Sequence, residues 1–215
     1  MRFDHAILAV QDLQAARADF HELGFTSTYG GQHRGGLTHN ALIALADGSY
    51  LELMAPTDPA HLTARPGEGY LFVFQRGEGF AGYALHTQDL EAAVSEMRRR
   101  GVLVGEPATG GRRREDGREL GWRMATLPQG MSPFLLEDVT PRELRVPARP
   151  EATTHANGAL GAAGLVVLVA DLAAVLQRGG EGPYRLSLRV GPGKQAGLLD
   201  PAKTHGGEVE LVGVG

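Results

Sequence analysis

Two polar residues interrupt stretches of sequence that otherwise resemble buried β-strands. His5 lies within FDHAILAV, and Glu52 lies between two leucines in SYLELMA. An unpaired carboxylate is costly to bury, so Glu52 must face either solvent or a partner that binds it. Side chains alternate along a strand, which places Tyr50, Glu52 and Met54 on one face. We predict that this face lines a pocket, where Glu52 is catalytic and Tyr50 and Met54 contact the substrate.

A second polar pair, His39 and Asn40, directly precedes the apolar run ALIALA. Neighbouring residues of a strand point to opposite faces, so one member of the pair faces the pocket. We expect this residue to be His39, which shares a face with Ala41 and Ile43, and we assign it a catalytic role beside Glu52. Asn40 is then expected to satisfy backbone groups where the strand begins.

The segments that must position these residues belong to a repeated pattern. It occurs at residues 3–16, 80–93 and 161–174. Each copy has an apolar strand-like run, then Asp-Leu, then apolar residues at helical spacing. The aspartates Asp12, Asp89 and Asp171 stand where a helix N-cap belongs, because their side chains can accept hydrogen bonds from the first turn. Each copy therefore predicts a strand followed by a helix.

Three strand-like segments follow the first and second predicted helices, and two follow the third. The sequence therefore predicts an α+β fold in which paired βαβββ modules form a cupped mixed β-sheet, with a partial third βαββ module at the C-terminus. The modules are expected at residues 1–60, 78–140 and 158–215. Proline-rich linkers are expected near residues 56–66 and 141–158.

These segments together resemble the vicinal oxygen chelate superfamily, which includes glyoxalase I, extradiol dioxygenases and bleomycin-resistance proteins. Within it, the chain is most similar to glyoxalase-like domain proteins. The resemblance rests on DHAILAVQDL, ELGF, HRGGLTHNAL, DGSYLELMA, GYALHTQDL, GWRMA and SPFLLED, and it covers about residues 3–140.

The resemblance implies a metal site, because metal-using members take one ligand from the first strand and one from the fourth strand of each module. His5 and Glu52 match these positions in the first module, and Glu137 would supply the second carboxylate if its strand shifts register. Gly82 stands at the second-module position of His5. The implied cofactor is a divalent ion such as Zn²⁺, Ni²⁺, Mn²⁺ or Fe²⁺, which would bind two adjacent substrate oxygens. His86, further along the same strand as Gly82, is expected to contact substrate.

Arginines near the predicted cup have two interpretations. The run GRRREDGRE at residues 111–119 has the composition of a solvated hairpin that turns at Asp-Gly. Alternatively, Arg113 lies over the mouth of the cup and binds a carboxylate or phosphate of the substrate, as arginine does with two parallel hydrogen bonds. Arg123 in GWRMA has the same two interpretations, and Trp122 is expected to pack in the core.

Composition narrows the class of partner. A net charge of −4 disfavours nucleic acid, and the absence of cysteine excludes disulfides and thiolate metal sites. The most apolar segment, residues 162–176, is too short and too polar to span a membrane. The N-terminus lacks the pattern of a signal peptide because Asp4 and His5 interrupt it. We therefore expect a cytoplasmic protein that binds a small molecule, without nucleic acid or membrane, and a homodimer is compatible with this expectation.

Two functions fit the sequence. The first is a metal-dependent lyase, isomerase or dioxygenase that acts on a small substrate with vicinal oxygens. The second is a metal-free protein that binds or sequesters a small molecule, as bleomycin-resistance proteins do. Gly82 favours the second, because it removes a ligand that the first requires.

Overall fold

The computed structural model describes residues 1–65, 68, 70–127, 133–167 and 185–213. The first module contains β1 (Arg2–Ala9), α1 (Leu13–Glu22), β2 (Thr28–His33), β3 (Thr38–Ala44) and β4 (Tyr50–Pro56). A connecting segment follows, with the short α2 (His61–Ala64) and a 3₁₀-helix (Leu71–Arg76). The second module contains β5 (Gly79–His86), α3 (Leu90–Arg99), β6 (Ala108–Arg113), β7 (Glu119–Thr126) and β8 (Phe134–Asp138). The remaining elements are α4 (Arg142–Arg145), α5 (Pro150–Thr153), β9 (Ala159–Val166), β10 (Arg185–Val190), β11 (Gly197–Leu198) and β12 (Glu208–Gly213).

The predicted helix starts are confirmed in the first two modules. The side chain of Asp12 accepts hydrogen bonds from the backbone N–H groups of Gln14 and Ala15, and that of Asp89 accepts one from Ala92. These bonds satisfy donors that have no partner within the helix. The third predicted cap, Asp171, and the helix expected after it lie outside the described residues.

The predicted cup is a closed barrel of eight strands, in the order β1-β4-β3-β2-β6-β7-β8-β5. Within each module the first strand runs parallel to the fourth, as β1 with β4 and β5 with β8. The modules join at two antiparallel seams, where β1 pairs with β5 and β2 pairs with β6. No helix in the described ranges is long and apolar enough to cross a membrane.

Both faces of the barrel wall are apolar, because each packs against a different core. Inside, residues such as Ile7, Met54 and Trp122 form one buried cluster, which confirms the packing role expected for Trp122. Outside, α1 contributes Phe20 to a second cluster. Strands β9 to β12 form a four-stranded sheet that packs into this second cluster through residues such as Leu188. The C-terminal sheet therefore shares a core with the first module.

The shared core predicts that Leu188→Ala destabilises the protein by about 2–5 kcal/mol, because it leaves a cavity at a fully buried position. The free energy of unfolding in urea measures the loss. Leu160→Ala is the matched control in the same sheet, since Leu160 is 42% exposed, and we expect a change within about 0.5 kcal/mol. Equal losses in the two variants would contradict a core shared with the C-terminal sheet.

Candidate functional site

The barrel interior holds a small polar site within an apolar wall. The side chains of His5, His33, Asn40, Glu52 and Arg112 face a cavity of about 30 Å³. This volume has room for no more than a few water molecules. Aromatic and apolar residues complete the wall, among them Tyr50, Met54, Tyr70, Trp122, Met124 and Phe134. The polar groups are thus held together where bulk water is excluded.

Glu52 is the centre of this polar group. His5 Nε2 lies 3.2 Å from Glu52 Oε2, and His33 Nε2 lies 3.4 Å from Glu52 Oε1. Asn40 Nδ2 donates a hydrogen bond of 2.6 Å to Glu52 Oε1. Burial by itself would raise the pKa of Glu52, but the contacts with His33 and His5 outweigh burial and hold this pKa well below its ordinary value. The carboxylate is therefore ionised.

His5 is fixed on its other side by Asp4. His5 Nδ1 lies 2.8 Å from Asp4 Oδ2, and the imidazole stacks on Tyr50 with ring centroids 4.4 Å apart. Burial disfavours the imidazolium, but hydrogen bonds to Asp4 and Glu52 raise the pKa of His5 above its ordinary value. The His5 imidazole thus lies between two carboxylates, those of Asp4 and Glu52.

A cluster of ion pairs around Asp4 holds this arrangement in place. Arg145 Nη1 lies 3.1 Å from Asp4 Oδ2 and donates a 2.7 Å hydrogen bond to the Tyr50 hydroxyl. Arg142 Nη1 lies 2.5 Å from Asp4 Oδ1, and Arg145 Nε also binds Asp138. Both arginines come from α4, within residues that the sequence indicated as a linker. Although burial opposes it, the contacts with His5 and the arginines hold the pKa of Asp4 well below its ordinary value.

Four predicted site residues lie together in the interior: His5, Tyr50, Glu52 and Met54. The predicted orientation of His39 and Asn40 needs a correction, because Asn40 faces the interior. His39 does share a face with Ala41 and Ile43, as expected, but this face packs outward beneath α1. The His39 imidazole instead lies 3.4 Å from the hydroxyl of Tyr29.

The remaining predicted site residues lie away from the cavity. Arg113 pairs with Glu119 across the exposed hairpin, with 2.7 Å between Nε and Oε1. Arg123 pairs with Glu91 at the start of α3. His86 is half-buried, and its Nε2 lies 3.1 Å from Asp138 Oδ2.

Glu137, the predicted second carboxylate ligand, is also outside the cavity. Its Oε2 accepts a hydrogen bond of 3.3 Å from the backbone N–H of Leu90, at the start of α3. The register explains this position. Ile7 pairs with Glu52, and the equivalent pair of the second module is Ala84 with Phe134. Phe134 therefore stands where a second-module ligand would project.

The donor groups do not fit the metal site that the resemblance implies. The second module offers Gly82 and Phe134 at the ligand positions, and neither has a donor side chain. In the first module the amide of Asn40 lies between two groups, since Asn40 Nδ2 is 3.3 Å from His33 Nε2 and 2.6 Å from Glu52 Oε1. Within the described ranges no three His, Asp or Glu side chains are placed to hold a metal ion.

Sequence reasoning missed His33, Arg112 and the supporting Asp4 and Arg145. His33 ends β2, and its Nδ1 lies 2.9 Å from the Thr38 hydroxyl. Arg112 lies in the basic run, where strand alternation could have distinguished it from its outward neighbour. A signal for Arg145 exists only in three dimensions, because its partners are distant in the sequence.

A larger cleft of about 320 Å³ adjoins the interior cavity. Its wall includes Arg34, Glu106 and the glycines of β6, and it shares His33, Tyr70, Trp122 and Met124 with the cavity. Gly110 is required here, because a Cβ at this position would lie 2.1 Å from Nε1 of Trp122. The cleft has the size of a site for a small organic molecule, whereas the cavity has room only for the polar end of such a molecule. The shared residues lie between the cleft and the cavity that Glu52 lines.

Paired βαβββ modules that close around an internal polar site define a vicinal oxygen chelate fold. The glyoxalase-like domain model matches residues 3–181, more than half of the chain. The protein therefore belongs to the glyoxalase-like domain family, within the vicinal oxygen chelate superfamily. No curated protein sequence matches the chain.

Two solved structures agree on the fold, and a third has a higher sequence identity but a lower TM-score. A hypothetical protein from Staphylococcus aureus has 15% sequence identity and a TM-score of 0.77, over 99% of each chain. The 2,3-dioxygenase LapB from Pseudomonas sp. KL28 has 10% identity and a TM-score of 0.54, over 100% of this chain and 92% of that one. A methylmalonyl-CoA epimerase from Streptomyces coelicolor has 24% identity and a TM-score of 0.43, over 65% of this chain and 99% of that one. The likeness to the S. aureus protein extends across the C-terminal sheet.

Proposed function

We propose that this protein is a lyase or isomerase that moves a proton on a small oxygen-bearing substrate, without a metal ion. The observation that carries the proposal is the Glu52 carboxylate, which is 5% exposed, faces an internal cavity and is hydrogen-bonded by His5 and Asn40. A buried ion pair is a costly way to stabilise a core. Its position beside a cavity and a cleft favours a chemical role.

The chemistry assigned to Glu52 is abstraction of a proton from carbon next to a carbonyl group. The C–H bond breaks, its proton moves to Glu52, and its electron pair becomes an enolate. A substrate that separates Glu52 from His33 removes one interaction that lowers the pKa of the carboxyl, and burial then makes it a stronger base. Return of the proton to carbon completes an isomerisation, whereas loss of a group next to the enolate completes an elimination. His5, fixed by Asp4, is placed to donate a proton to oxygen.

Binding without reaction is the second candidate function. It is favoured by the apolar wall, where Phe134 stands at one of the second-module ligand positions, and by Gly82 at the other position. In this case the pair of His5 and Glu52 contributes hydrogen bonds to a bound small molecule and no proton is transferred.

Exchange of carbon-bound protons with solvent deuterium distinguishes the two candidates. The wild-type protein is incubated in D₂O with a panel of small 2-oxo acids, 2-hydroxy acids and hydroxyketones, and proton NMR follows each C–H signal. Protein-dependent loss of a C–H signal supports the proposed reaction. Binding of panel members without exchange supports the second candidate. If the protein neither binds any panel member nor exchanges its protons, both candidate functions are contradicted.

The donor arrangement predicts that metal removal has no effect on stability. Treatment with EDTA, followed by addition of Zn²⁺, Ni²⁺, Mn²⁺ or Fe²⁺, is expected to leave Tm unchanged, because a ligand that binds only the folded state would raise it. Differential scanning calorimetry measures Tm, and elemental analysis of protein purified without chelator measures bound metal. A stoichiometric ion that is lost in His5→Ala would contradict the metal-free mechanism.

A further inference from the structure

The Arg112 guanidinium is buried in the cavity wall without a carboxylate partner. Arg112 is 3% exposed, and one of its nitrogens, Nη2, donates to the backbone carbonyl of Arg145. Its Nε has no hydrogen-bond partner. In the part of the chain that the structure describes, no ion pair includes Arg112, whereas Arg142 and Arg145 are bound by Asp4 and Asp138. An unpaired buried cation is costly, so an anionic ligand would stabilise this site.

Asn40 adds an acceptor to the same part of the cavity. It is 1% exposed and its Nδ2 is bound to Glu52, but its Oδ1 has no partner. Gly30 brings the two unpaired groups together. A Cβ on residue 30 would lie 2.1 Å from Asn40 Oδ1 and 3.3 Å from the guanidinium carbon of Arg112, so glycine is needed here to accommodate both groups. The Arg112 guanidinium, a positively charged donor, and Asn40 Oδ1, a neutral acceptor, therefore lie near each other.

We infer that Arg112 and Asn40 bind a substrate carboxylate and its adjacent hydroxyl, so that the substrate class is a 2-hydroxycarboxylate. The carboxylate accepts from Arg112 Nε, and the hydroxyl donates to Asn40 Oδ1. Because Asn40 also bonds Glu52, the carbon that carries the hydroxyl is held beside that carboxylate. The reaction at this carbon rests on the proposed function, but the binding of the two oxygens does not.

Three small probes test the two contacts separately. Glycolate carries both groups, acetate lacks the hydroxyl, and glycolamide lacks the charge. NMR titration of the wild-type protein gives each Kd, and the Nε–H signal of Arg112 reports contact at that atom. We expect acetate and glycolamide to bind at least about tenfold more weakly than glycolate, because each loses one contact to a buried polar group. Failure of glycolate to bind, or equal binding of glycolamide, would overturn the inference.

Variants give a second, independent test. Arg112→Met is expected to weaken glycolate binding at least about tenfold, and Arg112→Lys is expected to keep part of it because the charge remains. Arg99→Met is the control, because Arg99 is exposed on α3 and pairs with Glu96. Unchanged binding in a folded Arg112→Met protein overturns the inference. If Arg112→Met does not fold, glycolate binding by Arg112→Lys and the relative affinities of the three probes test the inference instead.

The proposed reaction and the proposed binding site can be contradicted by different results. Glycolate binding without deuterium exchange in any panel member retains this site and rejects the proposed reaction. Exchange confined to uncharged hydroxyketones retains the reaction and rejects a carboxylate site at Arg112.

Discussion

Glu52→Gln is expected to reduce deuterium exchange on the best panel substrate by about 10²–10⁴-fold, the usual contribution of a general base. The amide has nearly the shape of the carboxylate but cannot accept a proton from carbon. Initial exchange rates from proton NMR, at equal protein and substrate concentrations, measure the loss. Substrate binding is expected to change less than the rate, because the predicted contacts of the substrate oxygens lie on other residues.

Stability must be measured alongside the rate, because Glu52 also binds His5 and Asn40. Glu52→Asp serves as the second variant, because it retains the charge but withdraws the carboxylate by one methylene. We expect this variant to remain folded and to catalyse deuterium exchange more slowly than the wild type. Glu96→Gln on the surface of α3 is the control, and its rate is expected to equal that of the wild type. A folded Glu52→Gln protein with full exchange activity would show that Glu52 is a structural partner of His5 and not the base.

The local elements could be predicted because their signals lie close together in the sequence. Asp12 and Asp89 mark helix starts through hydrogen bonds that span two or three residues. Barrel closure depends instead on pairing between distant strands, such as β1 with β5 and β2 with β6. The sequence indicated that the two modules pack against each other. It did not indicate which strands pair across the seams, or in which register.

The same dependence on distant parts of the chain explains which site residues could be predicted from the sequence. Glu52 was recognisable because a carboxylate between two leucines contradicts an apolar strand. The orientation of His39 and Asn40 could not be derived in this way, since both faces of β3 are buried. Hydrophobic pattern fixes which residues share a face, but it does not say which face is the interior when both are apolar.

Arg112 and Arg145 were missed for a related reason. Arginine in a hydrophilic segment is normally solvated, and its burial depends on partners elsewhere in the chain. Arg145 is bound by Asp4, 141 residues away, and by the hydroxyl of Tyr50. Arg112 is next to Arg113, which is exposed, so composition alone does not distinguish them. Strand alternation separates the pair once the strand is known.

Arg145→Met is expected to lower the free energy of unfolding by about 3–5 kcal/mol, the range seen when one partner of a buried ion pair is removed. Arg145 is 1% exposed and contacts Asp4, Asp138 and Tyr50. Methionine retains much of the apolar volume but leaves Asp4 with less compensation for its burial. Urea unfolding at pH 7, followed by circular dichroism, measures the loss. Arg99→Met, on the exposed surface of α3, is the control and should change stability by less than about 1 kcal/mol.

The pH dependence separates the ion pair from simple packing. In the wild type, contacts with His5 and the arginines hold the pKa of Asp4 below its ordinary value, and contacts with the arginines do the same for Asp138, although burial opposes both shifts. A lowered folded-state pKa stabilises the protein above the unfolded-state pKa, about 3.9 for aspartate, and this stability is lost as pH falls toward the folded-state value. The variant lacks the part of this contribution that Arg145 supplies, so the difference in stability between the wild type and Arg145→Met should narrow as pH falls below about 4. A difference that is constant between pH 7 and pH 3 would mean that Arg145 stabilises the barrel through its packed side chain and not through its charge.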